Sequence, residues 1–152
     1  MADQVVQVSL SQQQDYQFRI EFGHAVPAIL GDEPAPLGQG TGPSPVQLLA
    51  AAVGNCLSDS LLFALRKFKQ NPDPLRCEVV AVVGRNPEGR VRVLSMSARL
   101  HLGVEAGALA HLDRVLGQFE AYCTVTQSVG QGIPIAIEVR DAHGTLLTPV
   151  QA

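Results

Sequence analysis

The most reactive side chains in this sequence are three cysteines, Cys56, Cys77 and Cys123. A deprotonated thiol is a nucleophile, and two thiols can close a reversible disulfide when their Cα atoms come within about 7 Å. A Cys on an apolar helix is, taken alone, a small hydrophobe. Cys56 has a different setting, because Gly54 and Asn55 precede it and Ser58, Asp59 and Ser60 follow. Small and polar neighbours within an apolar run leave room for a reactant to approach the sulfur. Cys123 stands at the end of a second predicted helix. If the two helices pack together, Cys56 and Cys123 could meet. Cys77 opens a strand without an evident partner and reads as structural.

Other chemistries fail on spacing. His24, His101, His111 and His143 form no close pair and have no Cys-x-x-Cys companion, which argues against a metal site. Gly38-Gln39-Gly40-Thr41-Gly42 precedes a helix as a phosphate cradle would. Its third dinucleotide-type glycine falls at Pro43, however, and no Gly-Lys-Ser/Thr follows. Pro43 and Pro45 also lack N–H groups that such a cradle would use. No Gly-x-Ser-x-Gly elbow is present, and no cofactor is implied.

The elements that position the cysteines follow from periodicity. Gln4–Leu10 and Tyr16–Phe22 alternate as strands. Residues 31–45 hold four of the ten prolines and four of the fourteen glycines, and so form a structured loop. Ser44, Pro45 and Gln47 make a helix start of the capping-box type, with the helix running over 45–69 and stopping before Asn71-Pro72. Cys56 shares helical neighbour spacings with Leu49, Ala52, Val53, Ser60 and Phe63, a largely apolar stripe. Residues 77–84 and 91–102 flank Arg85-Asn86-Pro87-Glu88-Gly89-Arg90 as a hairpin. A second long helix is expected over 105–122, from Leu109, Leu112, Leu116 and Phe119 at helical spacings, and Cys123 continues that stripe. Residues 132–139 read as a strand and 145–150 as a last extended piece. The order of elements gives one α+β domain over residues 1–152.

Composition bounds the rest. A chain of 152 residues, 46% hydrophobic and 16% charged, buries roughly 70% of its unfolded surface and folds without staples. A net charge of −3 gives no reason to expect nucleic acid as a partner. Three cysteines, an odd number, suit a reducing compartment, so a cytoplasmic location is expected. The opening residues show no signal-peptide pattern. Residues 48–65 are apolar enough for a membrane span but carry Asn55, Ser58, Asp59 and Ser60. They are read instead as a core helix buried on most sides, with no membrane. Residues 66–99 hold eight bases and three acids, which suggests either an anion-binding face or the solvated side of the hairpin.

Gly42-Pro43-Ser44-Pro45 and the following Gln47–Cys56 run resemble the first-cysteine helix of the OsmC/Ohr superfamily. Residues 121–139, Ala-Tyr-Cys-Thr-Val-Thr-Gln-Ser-Val-Gly-Gln-Gly-Ile-Pro-Ile-Ala-Ile-Glu-Val, are similar to that family's second-cysteine segment. Asp32-Glu33-Pro34 with Leu37-Gly38 resembles the loop before the first motif in the general OsmC-like branch. The resemblance implies an α+β OsmC-like fold with two long central helices packed on β-sheets, in an intertwined homodimer. It further implies a thiol-dependent peroxidase acting on organic hydroperoxides and recycled by a dithiol reductant. Cys56 would be the peroxidatic cysteine and Cys123 the resolving one. Arg19, the only base before residue 66, would be the Arg that holds the thiolate; read from the strand alone, it is an exposed side chain. The family's Glu partner falls at Val46, and neighbouring Gln47 is also uncharged. That departure keeps open a non-peroxidase that binds an apolar small molecule or senses redox state, and a structural dimer with inert thiols.

Overall fold

A two-residue turn at Asp15 and Tyr16, with Asp15 in the left-handed region (φ 48°), organises the N-terminal strands. The computed structural model describes residues 2–148, and contacts divide the chain into two units, one ending at Leu48 and one starting at Leu49. In the first unit, β1 (Ser9–Gln14), β2 (Gln17–Glu21) and β3 (Ile29–Gly31) form an antiparallel sheet in that order. The first strand lies further along the chain than the alternation of Gln4–Leu10 predicts. Register is the reason: Gln14 pairs with Gln17 across the turn and Ser9 with Glu21, so the paired stretch ends at Ser9. Val5 and Val6, which carry that alternation, are exposed.

The loop after β3 is held from within. The buried Asp32 carboxylate accepts the N–H groups of Glu33 (2.8 Å), Gln39 (3.2 Å) and Thr41 (3.1 Å) and the Thr41 hydroxyl (2.8 Å). Gln17 Nε2 donates to Thr41 Oγ1 at 2.9 Å and ties the loop to β2. The glycine-rich run does surround an anion, and the anion is the chain's own Asp32. Gly38 is required here, because a Cβ would collide with the Glu33 carbonyl and the Asp32 carboxylate.

Helix α1 (Pro45–Lys67) starts where the sequence places it. Ser44 N–H donates to Gln47 Oε1 (2.9 Å) and Gln47 N–H to Ser44 Oγ (3.2 Å), a reciprocal cap. The helix stops two residues before the expected 69, where Gln70 N–H returns to the Leu65 carbonyl and Lys69 takes φ 58°.

In the second unit, β4 (Arg76–Arg85) and β5 (Val91–His101) form the expected hairpin, and β6 (Ile135–Arg140) runs parallel to β5. The turn closes with Asn86 N–H donating to Arg90 O, and Gly89 supplies the positive φ. Val53, Leu57, Leu61 and Leu65, spaced by four along α1, pack with Met96, Ala98, Leu100, Ile137 and Val139. The helix is thus the core helix of this unit, but it is not buried on most sides. Its far side, including Ala51, Ala52, Asn55, Asp59 and Phe63 (69% exposed), faces outward. Gly54 is buried beside that row, and Leu49, Ala50, Cys56 and Ala64 border the core.

The second long helix does not form, so the fold has one long helix and two small sheets. Residues 105–122 instead make a 3-10 turn (Ala106–Ala108), the short α2 (Leu112–Leu116) and a second 3-10 turn (Phe119–Tyr122), followed by α3 (Thr124–Val129). Gly107 and Gly117 each cost about 1 kcal/mol relative to Ala in a helix interior, and tertiary partners take over groups that a helix would use. Ala110 N–H donates to Gln70 Oε1 at 2.8 Å rather than to a carbonyl four residues back. His111 stands in the left-handed region (φ 59°), stacked on Phe68 with ring centroids 5.0 Å apart. The apolar stripe still faces inward: Phe119 and Cys123 are fully buried, and Leu109, Leu112 and Leu116 border the same core. Beyond β6, Leu146 bridges to Arg140. The last part of the expected extended piece, residues 149–150, lies outside the described residues.

Candidate functional site

Two of the three cysteines meet. Cys56 stands on α1 one residue before buried Leu57, and it is half-buried at the margin of the core. Cys123 links the second 3-10 turn to α3 and is fully buried. Cys56 stands close enough to Cys123 to push that thiol's pKa up. Both thiols are free. The Cys123 thiol also donates to Thr126 Oγ1 at 3.0 Å.

The proton on Cys123 is strongly held. Burial is the largest cause of a raised Cys123 pKa, and the neighbouring Cys56 sulfur acts in the same direction. The Thr126 hydroxyl and backbone N–H oppose both. Of the two residues, Cys56 is half-buried and Cys123 is sealed.

Cys77 belongs to a different surface of α1. It lies on β4 beneath Gly54, where an added Cβ would come 3.5 Å from Cys77 Sγ and 2.8 Å from Val79 Cγ2. Burial pushes the Cys77 thiol up. Ser58 Oγ donates to the Gly54 carbonyl at 2.7 Å. Gly54 therefore sets how closely the Cys56 helix approaches the sheet.

Arg19 lies on β2, in the first unit. Its Nε donates to Glu21 Oε1 at 3.3 Å, with both side chains about half exposed (55% and 54%). It lines a cleft of about 640 Å³ together with Gln7, Ser9, Glu21 and His24. Val46 carries no charge, and the Gln47 side chain is engaged in the helix cap.

The side chains of five of the eight bases over 66–99 have partners. Arg66 pairs with Asp73, Arg76 with Glu78, and Arg99 with Glu138, where Arg140 joins. Arg85 and Arg92 donate to backbone carbonyls around the turn. Among the described residues, no group of three or more His, Cys, Asp or Glu side chains is placed to hold a metal ion.

Thr126 is the site residue that the sequence reading passed over. The available signal was a hydroxyl residue three positions after Cys123, a spacing that returns a side chain to the cysteine when the intervening residues turn.

The family model described as OsmC-like protein matches residues 38–138, a span that includes both cysteines. An OsmC-like protein of Vibrio cholerae superposes with a TM-score of 0.76 at 17% identity, over 90% of this chain and 99% of that one. An OsmC-like protein of Mycoplasma pneumoniae gives 0.74 at 14% identity, over 93% and 100%. An organic hydroperoxide resistance protein of Elizabethkingia anophelis gives 0.72 at 12% identity, over 92% and 98%. No curated protein matches significantly.

Proposed function

Because the chain belongs to the OsmC-like family, and its two motif cysteines lie side by side, we propose that it is a thiol-dependent peroxidase reducing organic hydroperoxides. The observation that carries this reading is the placement of half-buried Cys56 against sealed Cys123. The Cys56 thiolate attacks the distal peroxide oxygen, the O–O bond breaks, and the alcohol leaves after taking a proton. Cys56 becomes a sulfenic acid. The Cys123 sulfur then attacks Cys56 Sγ, water leaves, and the disulfide forms. A dithiol reductant restores both thiols by exchange. Structural relatives named as organic hydroperoxide resistance proteins support this substrate class, as does the apolar setting of Cys56. Arg19 is assigned to hold the thiolate, on the family resemblance.

The exposed far side of α1, with Ala51, Ala52 and Phe63, supports a homodimer in which a second copy covers it. The family match over residues 38–138 crosses the boundary between the two units at Leu48, which supports treating 1–152 as a single functional domain. Three free thiols support a reducing, cytoplasmic location. A second reading, a non-peroxidase that binds an apolar small molecule or senses redox state, is favoured by Val46 and by the engagement of Gln47 in the cap.

Multiple-turnover consumption of cumene hydroperoxide with excess dithiothreitol, together with intact mass before and after one equivalent, separates the two. The peroxidase loses two hydrogens, mapped to Cys56–Cys123, and Cys123→Ser stops at the sulfenic acid. A Cys56→Ser protein that consumes hydroperoxide as fast as the parent would overturn the peroxidase assignment.

A further inference from the structure

Resting on the two-cysteine reading above, we propose that Thr126 is a catalytic residue of the reductive half-reaction, holding the Cys123 sulfur as the leaving thiolate when a dithiol attacks Cys56 Sγ. Access fixes the direction of attack. In the Cys56–Cys123 pair only the Cys56 side is open, since Cys123 is 0% exposed and Thr126 5%. An incoming thiolate therefore bonds to Cys56 Sγ, and the electron pair of the S–S bond passes to Cys123 Sγ.

That sulfur becomes an anion in a place without water, and exchange slows when the leaving thiolate is poorly stabilised. Thr126 Oγ1 is 3.0 Å away. In the thiol state the hydroxyl accepts from Cys123; in the thiolate state it rotates and donates. The second thiol of the reductant then attacks its own sulfur bonded to Cys56, releases the Cys56 thiolate and leaves as a cyclic disulfide. Two electrons and two protons pass from the dithiol to the two cysteines.

The Cys56–Cys123 disulfide is prepared with diamide, and its reduction by dithiothreitol is followed across pH in the parent, Thr126→Val and Thr126→Ser proteins. Thr126→Val is expected to slow reduction roughly 10-fold, the scale of a hydrogen bond to a charged group. Thr126→Ser keeps the hydroxyl and should return the rate to near that of the parent. Glutathione added to the disulfide should be captured on Cys56.

Parent-like reduction of Thr126→Val, failure of Thr126→Ser to rescue, or capture on Cys123 would each overturn the assignment. A disulfide that forms with diamide and behaves as stated, but never forms with hydroperoxide, refutes the peroxidase and leaves Thr126 in its role. If neither oxidant closes the disulfide, both fall.

Discussion

Replacing Gly54 by Ala sets two effects of known sign against each other. In a helix interior, Gly→Ala stabilises by about 1 kcal/mol through backbone entropy. At this position the new Cβ comes 2.8 Å from Val79 Cγ2 on β4 and 3.5 Å from Cys77 Sγ. Val79 is β-branched and stiff, so relief requires α1 to move away from the sheet or Val79 to leave its rotamer. Overpacking of this kind costs about 1–3 kcal/mol, which leaves Gly54→Ala destabilised by about 1 kcal/mol, within a range of ~0–2. Val79→Ala alone opens space and costs about 1 kcal/mol. Together the two changes fit, so the double variant should be more stable than the sum of the singles by about 1 kcal/mol or more. Urea unfolding of the four proteins measures the cycle. A Gly54→Ala protein more stable than the parent, or additive effects, would refute the close approach of α1 to β4. A further consequence falls on the site. Gly54 is two residues from Cys56, so lifting the helix should also slow closure of the disulfide with Cys123.

Two other perturbations test local chemistry. The Thr41 backbone N–H, foremost among its donors, holds the Asp32 carboxyl at about 2, below the ordinary 3.8. Its stabilising contribution is therefore complete above pH 3.8 and lost as pH falls towards 2. Protection of the Gln39 and Thr41 amides, taken relative to the intrinsic exchange rate at each pH, should fall in that window, and in Asp32→Asn it should already be reduced at neutral pH. Unchanged protection from pH 4 to 2 would contradict the capped loop. Iodoacetamide at pH 7 should label Cys56 well before Cys123, because Cys123 is sealed and its thiol is pushed up chiefly by burial. Peptide mapping of early time points reads the order, and the reverse order would refute the roles assigned to the pair.

Local chemistry made parts of this molecule legible in advance. Ser44 and Gln47 cap each other as their spacing requires, and the Asn86–Gly89 turn joins two alternating runs as a hairpin. Both depend only on residues within a few positions of one another. The first strand was misplaced because alternation in Val5, Val6 and Val8 competes with a turn that pairs Gln14 with Gln17. The second helix was overcalled because its apolar spacing is genuine while its hydrogen bonds go elsewhere. Gln70 takes the Ala110 N–H, and Asp141 takes that of Ala106 at 3.2 Å. No window along the chain contains those partners.

The candidate site divides in the same way. Sequence by itself determined which thiols belong to the two motifs, that Cys56 rides on a capped helix, and that the family's acidic partner is absent at Val46. Those are matters of residue identity and short spacing. Only the tertiary structure decided that Cys123 would be sealed beside Cys56, with Thr126 against its sulfur and Cys77 turned to a separate face. A thiol's proton affinity and its access to reactants depend on excluded water and on donors brought in from elsewhere in the fold, and those exist only once the chain has packed.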